Sequence, residues 1–174
     1  SGQLANNLAE TVYDIWLDDY ISGSPPPVIS VIDLHNLGPV AAALDAFSRR
    51  LDSIGDNYAT QLSRSYDAVD SFGYWFDDHR VDLYDYADRV SDAINDSSLD
   101  NAAGQLKTAI SNAVTASHHN NTSPGAHGIS IYLPHKDVYN SIRDSIFESY
   151  AGLKISADTH WNEWLANQPD YVSP

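Results

Sequence analysis

Apolar residues recur at steps of three and four along most of this chain, the spacing of one helical face. Leu4, Leu8, Val12, Ile15 and Trp16, extended by Tyr20, predict a first amphipathic helix over 3–20. Gly23 and the run Pro25, Pro26 and Pro27 stop it, because proline lacks an amide proton and holds φ fixed. Val40, Leu44, Phe47, Leu51 and Ile54 predict a second helix over 37–54, ended by Gly55. Tyr58, Leu62, Tyr66 and Val69 predict a third over 57–70. Asp82 is placed to cap a fourth, with Leu83, Tyr86, Ala87, Val90 and Ile94 on its face. Ser97 or Ser98 caps a fifth carrying Leu99, Ala103, Leu106, Ile110 and Val114. Val138, Ile142, Ile146 and Tyr150 predict a sixth over 137–150. A short last helix starts near Asp158, carries Trp161, Trp164 and Leu165, and ends around Pro169.

Two stretches break the helical period. Residues 28–32 and 129–133 are short, β-branched and apolar on both parities (Val28, Ile29, Val31, Ile32; Ile129, Ile131, Tyr132, Leu133). That pattern suits strands covered on both faces. A two-stranded sheet is marginal alone, so two arrangements are open. Either the strands belong to a larger sheet whose other members lie outside this chain, or one of them pairs in a small local sheet under the helices. Residues 71–81, with Phe72, Tyr74, Trp75 and Phe76 interrupted by Gly73, read as an aromatic loop or a short extended piece. Residues 117–128 read as a polar loop, with Gly128 releasing the chain into the second strand. The expected fold class is α+β and predominantly helical, a bundle of roughly six to seven helices with two short strands. With no repeat and no long linker, residues 1–174 form a single domain.

Composition sharpens this picture. The 174 residues are 43% hydrophobic and 19% charged, a balance that fits a packed core and not a disordered chain. No apolar run is long enough to cross a bilayer. The formal charge is −15, which repels phosphate backbones and sets nucleic acid aside as a partner. There are no cysteines, which removes disulfides, thiolate metal sites and a cysteine nucleophile. Asp outnumbers Glu 21 to 3. Calcium binding, a salt-tolerant or extracellular surface, and many capped helices are the three readings of that bias. The chain opens on polar Ser1 and Gly2 without a secretory leader and reads as an excised or processed piece. The cysteine-free, Asp-rich composition points to an extracellular or cell-envelope location.

The candidate chemistry is sparse. Four of the seven histidines fall in one stretch, His118, His119, His127 and His135. Adjacent His118 and His119 do not share a helical face, and a straight strand at about 3.3 Å per residue sets His127 and His135 about 26 Å apart. Neither pair makes a zinc site. Asp77, Asp78, Asp82 and Asp85 cluster at the start of the fourth helix but lack the spacing and central glycine of an EF-hand loop. Ser130 lies near His127 without a nucleophile elbow, and no glycine loop cradles phosphate. Trp161 and Trp164 share one side of a short helix that must dock on something. That is either the core, against the sixth helix and second strand, or a carbohydrate or peptide platform. No catalytic, cofactor-binding or metal-ligating residue is assigned.

Five motifs in order carry a resemblance. They are Leu-Ala-x-x-Leu-Ala-x-x-Val-Tyr (4–13), Ile-Ser-Val-Ile-Asp-Leu-His-Asn-Leu (29–37), Val-Asp-Leu-Tyr-Asp-Tyr-Ala (81–87), Gly-Ile-Ser-Ile-Tyr-Leu-Pro (128–134) and Tyr-Ala-Gly-Leu-Lys-Ile-Ser-Ala-Asp-Thr-His-Trp-Asn-Glu-Trp-Leu (150–165). Together they resemble the C-terminal part of the clostripain-like cysteine peptidases, over nearly the whole chain. The resemblance implies a caspase- and gingipain-like α/β/α sandwich whose sheet the two strands extend. It implies a His-Cys dyad, often cleaving after Arg or Lys, in a His-Gly and an Asp-x-Cys motif upstream of the matched stretch. It also implies self-processing into two chains in some members, and calcium dependence in the parent family with no cofactor in this chain. The dyad does not carry over, since this sequence has no cysteine. The implied function is a non-catalytic C-terminal domain that buttresses the catalytic half of a secreted hydrolase. Its partners are the upstream catalytic domain and, through it, basic protein or peptide substrates. The alternative is an acidic helical binding or interaction module, secreted or at the cell surface, using exposed Trp75, Trp161 and Trp164. A third reading is an independent serine or carboxylate hydrolase.

Overall fold

A computed structural model of the chain describes residues 2–18, 28–72, 79–121, 123–135 and 153–170. In chain order the elements are α1 (Gly2–Asp18), β1 (Ile29–Ile32), α2 (Leu37–Ile54), α3 (Ala59–Ala68), β2 (Arg80–Asp82), α4 (Leu83–Ala93), α5 (Ser97–Ala113), β3 (Val114–His118), β4 (Ser130–Tyr132), α6 (Lys154–Asp158) and α7 (Trp161–Asn167). The described residues thus form a predominantly helical α+β fold, seven α-helices with two small antiparallel sheets. The sixth helix expected over 137–150, Tyr20 and residues 73–78 lie outside the described residues.

The core is the stripe the period marks. Val40, Leu44, Phe47, Leu51 and Ile54 of α2 are buried in one core with Leu99, Ala103, Leu106 and Ile110 of α5, the helix that packs on both α2 and α4, and with Leu83, Tyr86, Ala87 and Val90 of α4. α3 closes on α4, and α7 on α2. Asp82 caps α4 as its position suggests, accepting a hydrogen bond from the Asp85 backbone N–H. The cap of α5 is Asp96, not Ser97 or Ser98. The carboxylate one position earlier takes the Leu99 N–H at 2.8 Å while also bonding Arg50 of α2, so capping and helix pairing are met by one side chain.

This double bond has a pH signature. The Arg50 guanidinium, followed by the Leu99 N–H, holds the Asp96 carboxyl below its ordinary value of 3.8. A folded-state value below the unfolded one stabilises the fold above the unfolded value, and the gain is lost as pH falls through the folded value. Asp96→Asn keeps a cap acceptor and loses the charge. The urea midpoint difference between wild type and Asp96→Asn is expected to be full at pH 6 and to shrink as pH drops below about 3.8.

The two expected strands form, but they do not pair with each other. β1 pairs antiparallel with β3, and β2 pairs antiparallel with β4. Local pairing is therefore what the described residues contain. The sequence pattern puts Val114 on the fifth helix and residues 117–118 in the polar loop, because Val114 continues the stripe of α5 by coincidence. Instead Ala113 O accepts from Asp33 N–H at 2.8 Å and Thr115 Oγ1 donates to Val31 O at 3.0 Å, which draws the chain out alongside β1. Of the stretch 71–81, the end at 80–81 is extended as part of β2 (Arg80–Asp82), with Ser71 bridging to Val81. Gly128 sits at φ +100°, and an added Cβ would lie 3.0 Å from Ser30 Cβ and from Val114 Cγ1, so glycine is required where the two sheets meet.

The stripe of α1 faces outward: Leu4 is 76% exposed, Leu8 58%, Ile15 60% and Trp16 58%. α1 lies on β1 and β3 through the neighbouring arc, where Ala9 is buried and the Tyr13 ring stands 6.2 Å from the His118 ring. A narrow two-stranded layer takes a small-residue face closely, and the large residues are left turned outward.

Candidate functional site

A dense polar arrangement among the described residues is built at the junction of β2 and α4. Asp82 ends the strand and caps the helix. Its Oδ1 accepts from Asp85 N–H at 3.0 Å and its Oδ2 from His127 N–H at 2.7 Å. Asp85 Oδ2 accepts from Asp70 N–H at 3.0 Å and Arg89 Nε at 2.9 Å. Asp70 Oδ2 in turn accepts from Gly125 N–H at 2.7 Å. Three carboxylates thereby tie the exit of α3 and the start of α4 to the loop at 123–127. A Cβ on Gly125 would fall 2.7 Å from Asp85 Cγ, so the loop approaches only with glycine there. Burial pushes the Asp82 carboxyl above its ordinary value of 3.8, opposed by the Asp85 and His127 N–H groups.

This arrangement binds backbone. Both Asp82 oxygens are turned onto N–H donors, and Asp85 is shared between an N–H and a guanidinium. Calcium asks for six to eight oxygens facing one point, and Asp82 and Asp85 do not fit that demand. Asp77 and Asp78 lie outside the described residues. Among the described residues no three His, Asp or Glu side chains converge as metal ligands.

A second cluster joins residues that sequence alone did not associate. Tyr66 Oη and His79 Nδ1 are 2.7 Å apart, and the His135 ring lies 3.9 Å from the Tyr66 ring and 6.3 Å from that of His79. The register of β2 on β4 creates this, since Leu133 N–H donates to His79 O at 2.8 Å and brings 79 beside 133–135. His127 stacks on Tyr84 at 4.1 Å, while His118 and His119 finish β3 and follow it. Ser130 is exposed on β4.

Trp161 and Trp164 are core residues, 0% and 2% exposed. Their rings lie 4.8 Å apart and both meet Tyr86, which stands edge-on to Phe47. Trp161 Nε1 donates to Tyr132 O at 3.1 Å. A ligand platform through these two tryptophans is thus corrected to packing, and Trp75 lies outside the described residues. Outside the helix, His160 N–H donates to Asp45 Oδ1 at 2.8 Å and His160 Nε2 meets Asp52 Oδ2 at 3.0 Å, which fastens α7 to α2. No family model, no curated protein and no solved structure matches the chain.

Proposed function

We propose that this chain is the non-catalytic C-terminal domain of a clostripain-like cysteine peptidase, a scaffold half that supports a His-Cys half supplied by upstream sequence. The observation that carries the reading is the β1–β3 ribbon. β1 is apolar on both parities, yet all four of its residues remain only half-buried. Among the described residues each strand of the ribbon is paired on one side. Such a ribbon is marginal alone and is completed by joining a wider sheet. The motif order supports the reading too. Residues 29–37 form β1 and its turn into α2, 81–87 form β2 running into α4, and 128–134 are the Gly128 turn with β4. The absence of cysteine leaves the nucleophile to the upstream half.

In this role the −15 charge draws basic substrates towards the neighbouring active site, in keeping with cleavage after Arg or Lys. The test compares the protein encoded by the whole reading frame with residues 1–174 alone, using fluorogenic peptides ending in Arg or Lys. The full protein is expected to cleave them, with kcat/KM falling as salt rises, and the 174-residue chain to give a blank. An upstream sequence without a His-Gly and a cysteine, or hydrolysis by the 174-residue chain, overturns the proposal.

A further inference from the structure

The outward face of α1 has a shape and a charge that define what it takes. Leu4, Leu8, Val12, Ile15 and Trp16 are all exposed on one side of the helix, while Ala9 on the neighbouring arc is buried against the β1–β3 ribbon. From residue 4 to residue 16 this stripe runs about 18 Å at about 1.5 Å per residue. Single exposed leucines are ordinary, but a continuous helical stripe with a tryptophan at one end marks an interaction surface. α1 contains no Lys or Arg, and exposed Glu10 and Asp14 lie on its polar side. The fold beneath adds further negative charge, to a total of −15.

That charge chooses between occupants. Two copies of this chain meeting at α1 would set acidic flank against acidic flank, each on a body of −15. An anionic bilayer is repelled for the same reason, and helices that lie on membranes carry Lys or Arg on the polar face. A partner segment with apolar residues at helical spacing and Lys or Arg along its flanks meets both halves of the surface, stripe on stripe and base on acid. We infer that α1 is a docking helix for a basic amphipathic segment of a partner protein. The inference stands apart from the peptidase reading, which concerns the sheet edges.

The probe is a synthetic 18-residue amphipathic peptide lacking tryptophan, with a Leu stripe flanked by Lys and Arg. A second peptide has the same stripe flanked by Glu. Binding to the 174-residue chain is read by titration calorimetry and by the blue shift of Trp16 emission. The basic peptide is expected to bind and the acidic one not. Leu8→Ser/Ile15→Ser, which changes no charge and removes no buried group, is expected to weaken binding by about tenfold or more. Glu10→Gln/Asp14→Asn is expected to weaken it by about threefold in low salt, a difference that disappears in high salt. Circular dichroism matched to wild type confirms that both variants fold. Equal binding by Leu8→Ser/Ile15→Ser and wild type would reduce the contact to general attraction by an acidic surface and overturn the inference. Equal binding of the two peptides, a dimer in light scattering that Leu8→Ser/Ile15→Ser abolishes, or binding to phosphatidylglycerol vesicles would each overturn it as well.

Discussion

Replacing Trp161 with alanine is expected to destabilise the domain by about 4 kcal/mol, a large share of what holds a domain of this size together. Trp161 has no solvent exposure and sits between Tyr86 of α4 and Trp164 on its own helix. Its indole also donates to the carbonyl of Tyr132 on β4. Truncation therefore opens a cavity where α7, α4 and the β2–β4 ribbon meet, and it strips that carbonyl of a side-chain donor. Trp161→Phe separates the two losses. It keeps most of the ring volume and removes the donor, so about 1–2 kcal/mol is expected. Urea unfolding followed by circular dichroism measures both variants. A Trp161→Ala loss under about 1 kcal/mol would mean that α7 is not part of the cooperative core.

Asp82→Ala is expected to cost about 2–4 kcal/mol, because one truncation leaves two N–H groups without their acceptor and removes the cap of α4. Those groups belong to Asp85, in the first turn of the helix, and to His127, in the loop. Only the second is far away in sequence. The loss should accordingly show as faster hydrogen exchange at 123–127 as well as a lower urea midpoint. Asp82→Asn adds a pH test. Burial raises the Asp82 carboxyl in the fold, so the folded state binds the extra proton more readily than the unfolded chain. Its contribution is then greatest in acid and declines as pH rises from about 3.8 through the higher folded value. Asp82→Asn cannot titrate. The stability of wild type relative to Asp82→Asn is expected to decrease over that window, opposite in sign to the Asp96 effect.

The aspartate bias, three ways open from composition, acquires a local meaning in the structure. Asp33, Asp82 and Asp96 each stand at a helical N-cap and accept a backbone N–H two or three residues on. Asp45, Asp70 and Asp85 take backbone N–H groups from distant segments. The short aspartate side chain keeps its carboxylate near the main chain, where glutamate would overshoot. Capping was legible at Asp82 because a cap acts within one turn. The links from Asp70 to Gly125 and from Asp45 to His160 were not, because their partners are set by how the chain returns.

The same division runs through the rest of the molecule. Helical periodicity located α2, α4 and α5, with the buried face of each, because a stripe repeated over several turns reports a local geometry that any core must respect. The β-branched runs at 28–32 and 129–133 announced strands, which form at Ile29–Ile32 and Ser130–Tyr132, for a similarly local reason. The residues themselves left open which strand joins which. Val114–His118 and Arg80–Asp82 carry little strand signal, and they become strands because β1 and β4 pass beside them. The stripe of α1 shows the limit most plainly. Amphipathicity gives a helix an apolar arc, and only the docking of Ala9 on the ribbon determines that the large half of that arc looks outward. Local sequence thus determined α2, α4 and α5 with their greasy sides, the strands β1 and β4, and the cap at Asp82. Pairing, the carboxylate clamps, the Tyr66–His79–His135 cluster and the exposed face of α1 were decided by tertiary structure, since each depends on residues that meet only when distant parts of the chain fold together.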